Sequence, residues 1–181
     1  MKRAILSAFL PLMAATATTG MSLAADGSER DKKFFQSVEG EWVGPGEIVA
    51  GKYKGTKFTC TFTGSTPDVK VGMTLDGSCR VGVFTQKMKA TVERAGKGYT
   101  GKFLDGAAGK GLDVVAGSVD GRKVVLSLHR NQLKGAMLAR LPDENTMNVT
   151  VSVRVEAQMV PVIGMSLKRV DAAAVGSVAQ Q

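Results

Sequence analysis

The sequence predicts an all-β domain, an antiparallel meander of short strands that closes into a barrel of about 8–10 strands. Three observations carry this. Apolar side chains alternate with polar ones at a period of two in segment after segment. Turn signals separate these segments at short intervals, with 22 glycines in 181 residues. Long runs of helical periodicity are few.

The chain begins with a segment of another kind. Lys2 and Arg3 give a positive start, Ala4 to Ala15 is an apolar run, and small residues follow. This is the pattern of a bacterial-type secretory signal peptide, and Ser22-Leu23-Ala24 places the cut after Ala24, with Ala15-Thr16-Ala17 as a second site. The apolar run is short and interrupted by Ser7 and Pro11, and no later run reaches the ~18 apolar residues of a membrane span. The expected location is therefore periplasmic or secreted, with no transmembrane segment once the leader is removed. Removal of Lys2 and Arg3 lowers the basic count from 24 to 22 against 16 acids, and the net charge from +8 to +6. The remaining lysines are spread singly through strands and turns, so the charge reads as solvated surface, and an exported protein has no routine access to nucleic acid.

The exported part divides into residues 25–40, an N-terminal arm and short helix, then a barrel domain over 41–170 and a disordered tail over 171–181. The polar lead Asp26 to Lys33 forms the arm, and Phe34 to Val38 supplies one or two helical turns. Strands are expected at about 41–50, 55–64, 69–75, 78–84, 86–94, 98–104, 112–119, 122–130, 134–141, 146–157 and 159–169, with some neighbours merged. The alternation is plain in Phe58, Cys60 and Phe62 among threonines, in Met88, Ala90 and Val92, in Val124, Leu126 and Leu128, and in Val149, Val151 and Val153. Asp120-Gly121 marks a tight hairpin, because such turns need positive φ. Cys60 and Cys79 are the only cysteines. In an oxidising compartment they are expected to form a disulfide.

Gly40-Glu41-Trp42 follows the short helical segment and opens the first strand. That placement resembles the lipocalin (calycin) signature. The resemblance implies a calycin/lipocalin-like barrel in which Gly40 and Trp42 close the base, and Arg169, at the end of the last strand, packs across the indole. The longer spacing Gly40, Trp42, Gly44, Gly46 is similar to the opening of nitrobindin-like haem barrels, but the Tyr-Pro element and a histidine in the final strands are absent. His129, on an earlier strand and out of phase with Leu128, reads as a rim residue. With W-x-G-x-G, then Cys60 and Cys79, then glycine-punctuated hairpins, the exported part resembles a group of small uncharacterised exported proteins of Gram-negative bacteria, a resemblance that implies no activity.

No convergent catalytic set is present, so no catalytic residue, metal site or cofactor is expected. There is no G-x-S-x-G elbow and no histidine beyond His129 to serve a serine or cysteine nucleophile, and His129 does not complete a zinc site with the two cysteines. The run Gly106 to Gly111 lacks the first glycine and the hydroxyl residue of a phosphate-binding loop, and reads as the lip of a pocket. Met88, Met137, Met159 and Met165 are the candidate ligand-binding residues, because adaptable thioethers suit a loosely specified apolar guest. The expected function is an exported binding module for an apolar or amphipathic small molecule. The alternative is an envelope interaction protein, such as a protease inhibitor acting through the arm Asp26 to Lys33, since small exported barrels with one disulfide and a polar N-terminal arm resemble bacterial metalloprotease inhibitors.

Overall fold

Alternation of aromatic or aliphatic residues with threonine, serine or lysine gives each segment one face fit for burial and one for solvent. The structure, a computed structural model, describes residues 23–104 and 111–170. Within them lie one helix, α1 (Leu23–Gln36), and ten strands. These are β1 (Gly40–Ile48), β2 (Lys57–Ser65), β3 (Gly72–Val81), β4 (Phe84–Ala95), β5 (Gly98–Leu104), β6 (Leu112–Asp120), β7 (Lys123–Arg130), β8 (Leu133–Asp143), β9 (Thr146–Val155) and β10 (Gln158–Arg169). Each strand pairs antiparallel with its sequence neighbours, and β1 pairs with β10, so the meander closes into a barrel. Closure removes the free edges that a sheet of this length would otherwise expose. Residues 1–22 of the expected leader, residues 105–110 of the glycine-rich loop, and the expected tail at 171–181 lie outside the described residues.

An up-and-down barrel has two ends, and here they differ. One end, the base, carries α1 and the turns at 66–71, 96–97, 121–122 and 144–145. The other, the mouth, carries the connection at 49–56 and the turns at 82–83, 131–132 and 156–157.

The expected strands at 69–75 and 78–84 are one strand, β3. Gly77 is not a turn residue. A Cβ there would stand 2.0 Å from the Thr61 carbonyl oxygen, so glycine is required by close approach of β2, inside a continuous ladder. The polar lead also differs from expectation, since Asp26 to Lys33 belongs to α1 and is not an extended arm. Lys33 in its last turn complements the helix dipole. Phe34, Phe35 and Val38 bury against the base, and packing of that apolar end stabilises a helix too short to persist alone.

The helix is also held by polar contacts. Tyr99 Oη donates to Asp31 at 2.5 Å, and Arg94 Nη1 stands 3.5 Å from the same carboxylate, an ionic contact without hydrogen-bond geometry. The Phe35 ring meets Tyr99 edge-on at 5.3 Å between centroids. Burial, followed by the bond to Asp31, pushes the Tyr99 phenol well above the ordinary tyrosine range.

Cys60 and Cys79 face each other across β2 and β3 and form the disulfide, with Cα atoms 4.0 Å apart. Cys60 Sγ also lies 3.9 Å from Met165 Sδ. Neither sulfur carries a proton, so this is polarisable packing and not a hydrogen bond.

Two outcomes follow. The bridge closes a loop with a sequence separation of 19, so the Cys60→Ala/Cys79→Ala protein is expected to lose roughly 3 kcal/mol. Calorimetry should show this as a fall in Tm of roughly 6–12 °C. For Tyr99, the folded protein retains the phenolic proton that the unfolded chain releases near pH 10. The stability it contributes is complete below about pH 10 and declines as pH rises toward the elevated folded value. Tyr99→Phe is expected to cost about 1–2 kcal/mol at neutral pH and to remove this alkaline component, as measured by denaturant titration at several pH values.

Candidate functional site

The base is sealed by the residues of the G-x-W segment. Trp42 is fully buried, and its Nε1 donates to the Val38 carbonyl at 2.9 Å, just beyond the end of α1. The Arg169 guanidinium carbon lies 4.3 Å from the indole centroid, a cation–π contact. Arg169 Nε donates to the Glu144 carbonyl at 3.0 Å and Nη2 to the Ser37 carbonyl at 2.8 Å, while Nη1 donates to the Glu39 carbonyl. Gly40 takes φ 98°, and a Cβ there would come within 3.0 Å of Arg169 Nη1. Gly44 lets β1 approach the Ser166 carbonyl of β10, and Gly46 leaves the space filled by the Phe58 ring. Gly40, Trp42 and Arg169 thus meet at the base in a structural arrangement.

Above this seal the barrel is not filled. Eight strands enclose an interior just wide enough for side chains, and ten enclose more. The result is a cavity of about 420 Å³ that runs from Phe34, Phe35 and Val38 at the base toward Ile48, Val81 and Gln86 at the mouth. Its wall is aliphatic, aromatic and sulfur-bearing, with Gln86 and Lys89 as the polar residues among those that line it. Lys89 is engaged by Asp76 at 3.0 Å.

Met88, Met137 and Met165 line the cavity, joined by Met73 and Met147. Met159 does not. It is 42% exposed at the mouth end of β10. The cause is a β-bulge: Pro161 pairs with Ser152 and Ile163 with Val151, so Val162 is an extra residue and the inward phase slips by one. Counting by twos from Ile163 and Met165 back to Met159 therefore gave the wrong face. A second bulge between Val114 and Ala116 turns Val115 outward and restores Gly117 and Val119 to the interior. His129 pairs with Asp113 and Lys134 at the mouth end of β7, half-buried and out of phase with the inward Leu128.

The residues that sequence reasoning did not assign to the site are aromatic and small. Phe58, Phe62 and Phe103 line the cavity, and Ala90 and Ala139 give it room. The phase shared with Cys60 identifies Phe58 and Phe62 as inward. Only the strand count and the alanine positions together show that space is left over. Among the described residues, no group of three or more His, Cys, Asp or Glu gathers as a metal site, and no helix is long and apolar enough to cross a membrane.

No known family model and no curated protein matches this chain. Solved structures do. Rv2717c from M. tuberculosis aligns with a TM-score of 0.50 at 12% identity, over 78% of this chain and 98% of its own. A protein of unknown function of the DUF3598 family from Nostoc punctiforme PCC 73102 aligns with a TM-score of 0.48 at 16% identity, over 75% of this chain. This chain spans about half the length of that protein, 49%. At 12% identity the likeness to Rv2717c concerns the fold alone.

Proposed function

We propose that the protein is an exported, non-catalytic binding module whose barrel takes up an apolar or amphipathic small molecule. The observation that carries this reading is the cavity, about 420 Å³ with an almost wholly apolar wall. That volume falls in the range of small-molecule sites, and a wall with so few polar partners offers little to ordered water. Methionine thioethers on several strands adapt to guests of varied shape. Gln86 lies near the mouth, where its Nε2 donates to the Lys87 carbonyl at 3.1 Å and its amide oxygen is an acceptor for the polar head of an amphipathic guest. Export is supported by the composition of residues 1–24 and by the Cys60–Cys79 bridge, which suits an oxidising compartment. The helical state of the polar lead, with Asp31 tied to Tyr99 and Arg94, weighs against an arm that inserts into a protease cleft.

Native mass spectrometry of the purified protein should detect a bound apolar species, and organic extraction should identify it. The emptied protein should bind an anilinonaphthalene probe saturably. Ala90 is buried on the cavity wall, so Ala90→Phe should fill part of the space and weaken probe binding about tenfold while the barrel remains folded. Absence of both a bound species and saturable probe binding would overturn the reading, as would unchanged affinity in a folded Ala90→Phe protein.

A further inference from the structure

The two ends of the barrel differ in their surface chemistry as well as in their closure. At the mouth, the β3–β4 hairpin turns through Gly82 (φ 57°) and Val83, and it presents Val83 at 89% and Phe84 at 78% exposure. Hairpin tips favour Gly, Asn and Asp, and a β-branched residue followed by phenylalanine contributes nothing to such a turn. Tyr53, Leu133, Val155 and Met159 are also exposed around the mouth. Large apolar side chains gathered at one end make a rim, which is a different matter from single exposed residues scattered over a surface.

Charge accompanies this rim. Lys52, Lys54, Lys87, Lys102, Lys134 and Arg154 stand exposed on the mouth connections and the adjoining strand ends. Glu47, Asp113 and Glu156 are the acidic residues described there. The ion pairs Lys70–Glu93, Arg94–Asp31 and Lys123–Asp120 lie toward the base, and Lys89–Asp76 lies on the mid-wall. Several charges at the base are thus paired, and among the described residues the mouth carries a cationic surplus beside exposed apolar side chains.

We propose that the mouth docks on an anionic lipid bilayer, with Val83 and Phe84 entering the interface and the surrounding lysines facing the headgroups. Charge complementarity selects this occupant. A cationic collar gains about 1 kcal/mol per lysine or arginine near an anionic surface, and apolar side chains at the tip gain by leaving water. Orientation follows from the barrel, since among the described residues it is the mouth that joins both features and the cavity extends toward it. Docking by itself requires no guest. The corollary that a lipid-derived molecule passes directly between bilayer and cavity rests on the binding function proposed above.

The test is co-sedimentation of the purified protein, in the form the cell leaves it, with vesicles of phosphatidylcholine alone or containing about one third phosphatidylglycerol. Binding is expected to the anionic vesicles only, and to weaken between about 0.1 M and about 0.5 M salt. Val83→Asp/Phe84→Asp should lower partitioning at least ~tenfold, and Lys52→Glu/Lys87→Glu about fivefold or more per lysine. Val69 is 96% exposed in the 66–71 connection at the base, so Val69→Asp is the control and should change nothing. All four wild-type side chains at the mouth are exposed, and retained Tm values will confirm folding. Probe uptake in solution by the Val83→Asp/Phe84→Asp protein should equal wild type, which separates loss of docking from failure of the binding function. No anionic-vesicle binding, or binding that the mouth variants leave intact, would overturn the proposal. So would a wild-type dimer that Val83→Asp/Phe84→Asp dissociates without any vesicle binding, because the rim would then serve self-association.

Discussion

Arg169 holds together the parts on which everything else depends. Its guanidinium covers the Trp42 ring and donates to three carbonyls, those of Ser37, Glu39 and Glu144. These belong to the segment after α1 and to the β8–β9 turn, while Arg169 itself ends β10 and Trp42 lies on β1. One side chain thus links the first strand, the last strand and the helical plug at the point where the barrel closes. A lysine would supply charge without the planar fork that reaches several carbonyls while stacking on an indole.

Sealing the base has a consequence for the rest of the interior. With Phe34, Phe35 and Val38 packed over one end, the space enclosed by the ten strands extends toward the other. Protein interiors are normally packed to crystal-like density. Here, inward-facing Gly44, Gly46, Gly77 and Gly101 bring neighbouring strands together, and Ala90 and Ala139 stand where larger residues would fill the lumen. The disulfide reinforces the wall beside this space, since Cys79 lines the cavity and Cys60 packs against Met165. Stability is concentrated in the base and the wall, which leaves the mouth free to carry side chains that the fold does not need.

Much of the architecture was legible because period-two alternation reports directly on which face is buried. The strands around Cys60, Leu126 and Val149 were readable on this ground, as was the pairing of the two cysteines from their number and setting. The failures have equally local causes. Whether 69–75 and 78–84 merge is not decided by sequence, because glycine in a strand and glycine in a turn look alike there, and only the Thr61 carbonyl beside Gly77 distinguishes them. Met159 was assigned to the interior because a bulge at Val162 inverts the phase, and a bulge leaves no distinctive residue pattern there. The polar lead was read as an arm because its helix depends on packing at its C-terminal end.

By itself the sequence determined the fold class, the inward faces of most strands, the leader-like start and the identity of the bridged cysteines. Each of these depends on neighbouring residues or on simple counts. Tertiary structure alone decided that Arg169 also reaches the Ser37, Glu39 and Glu144 carbonyls, that ten strands leave about 420 Å³ unfilled, and that Val83 and Phe84 share one end with the exposed lysines. Those are properties of closure. Residues far apart in the chain become neighbours only when β1 meets β10, and an interior volume exists only once the last strand has paired with the first.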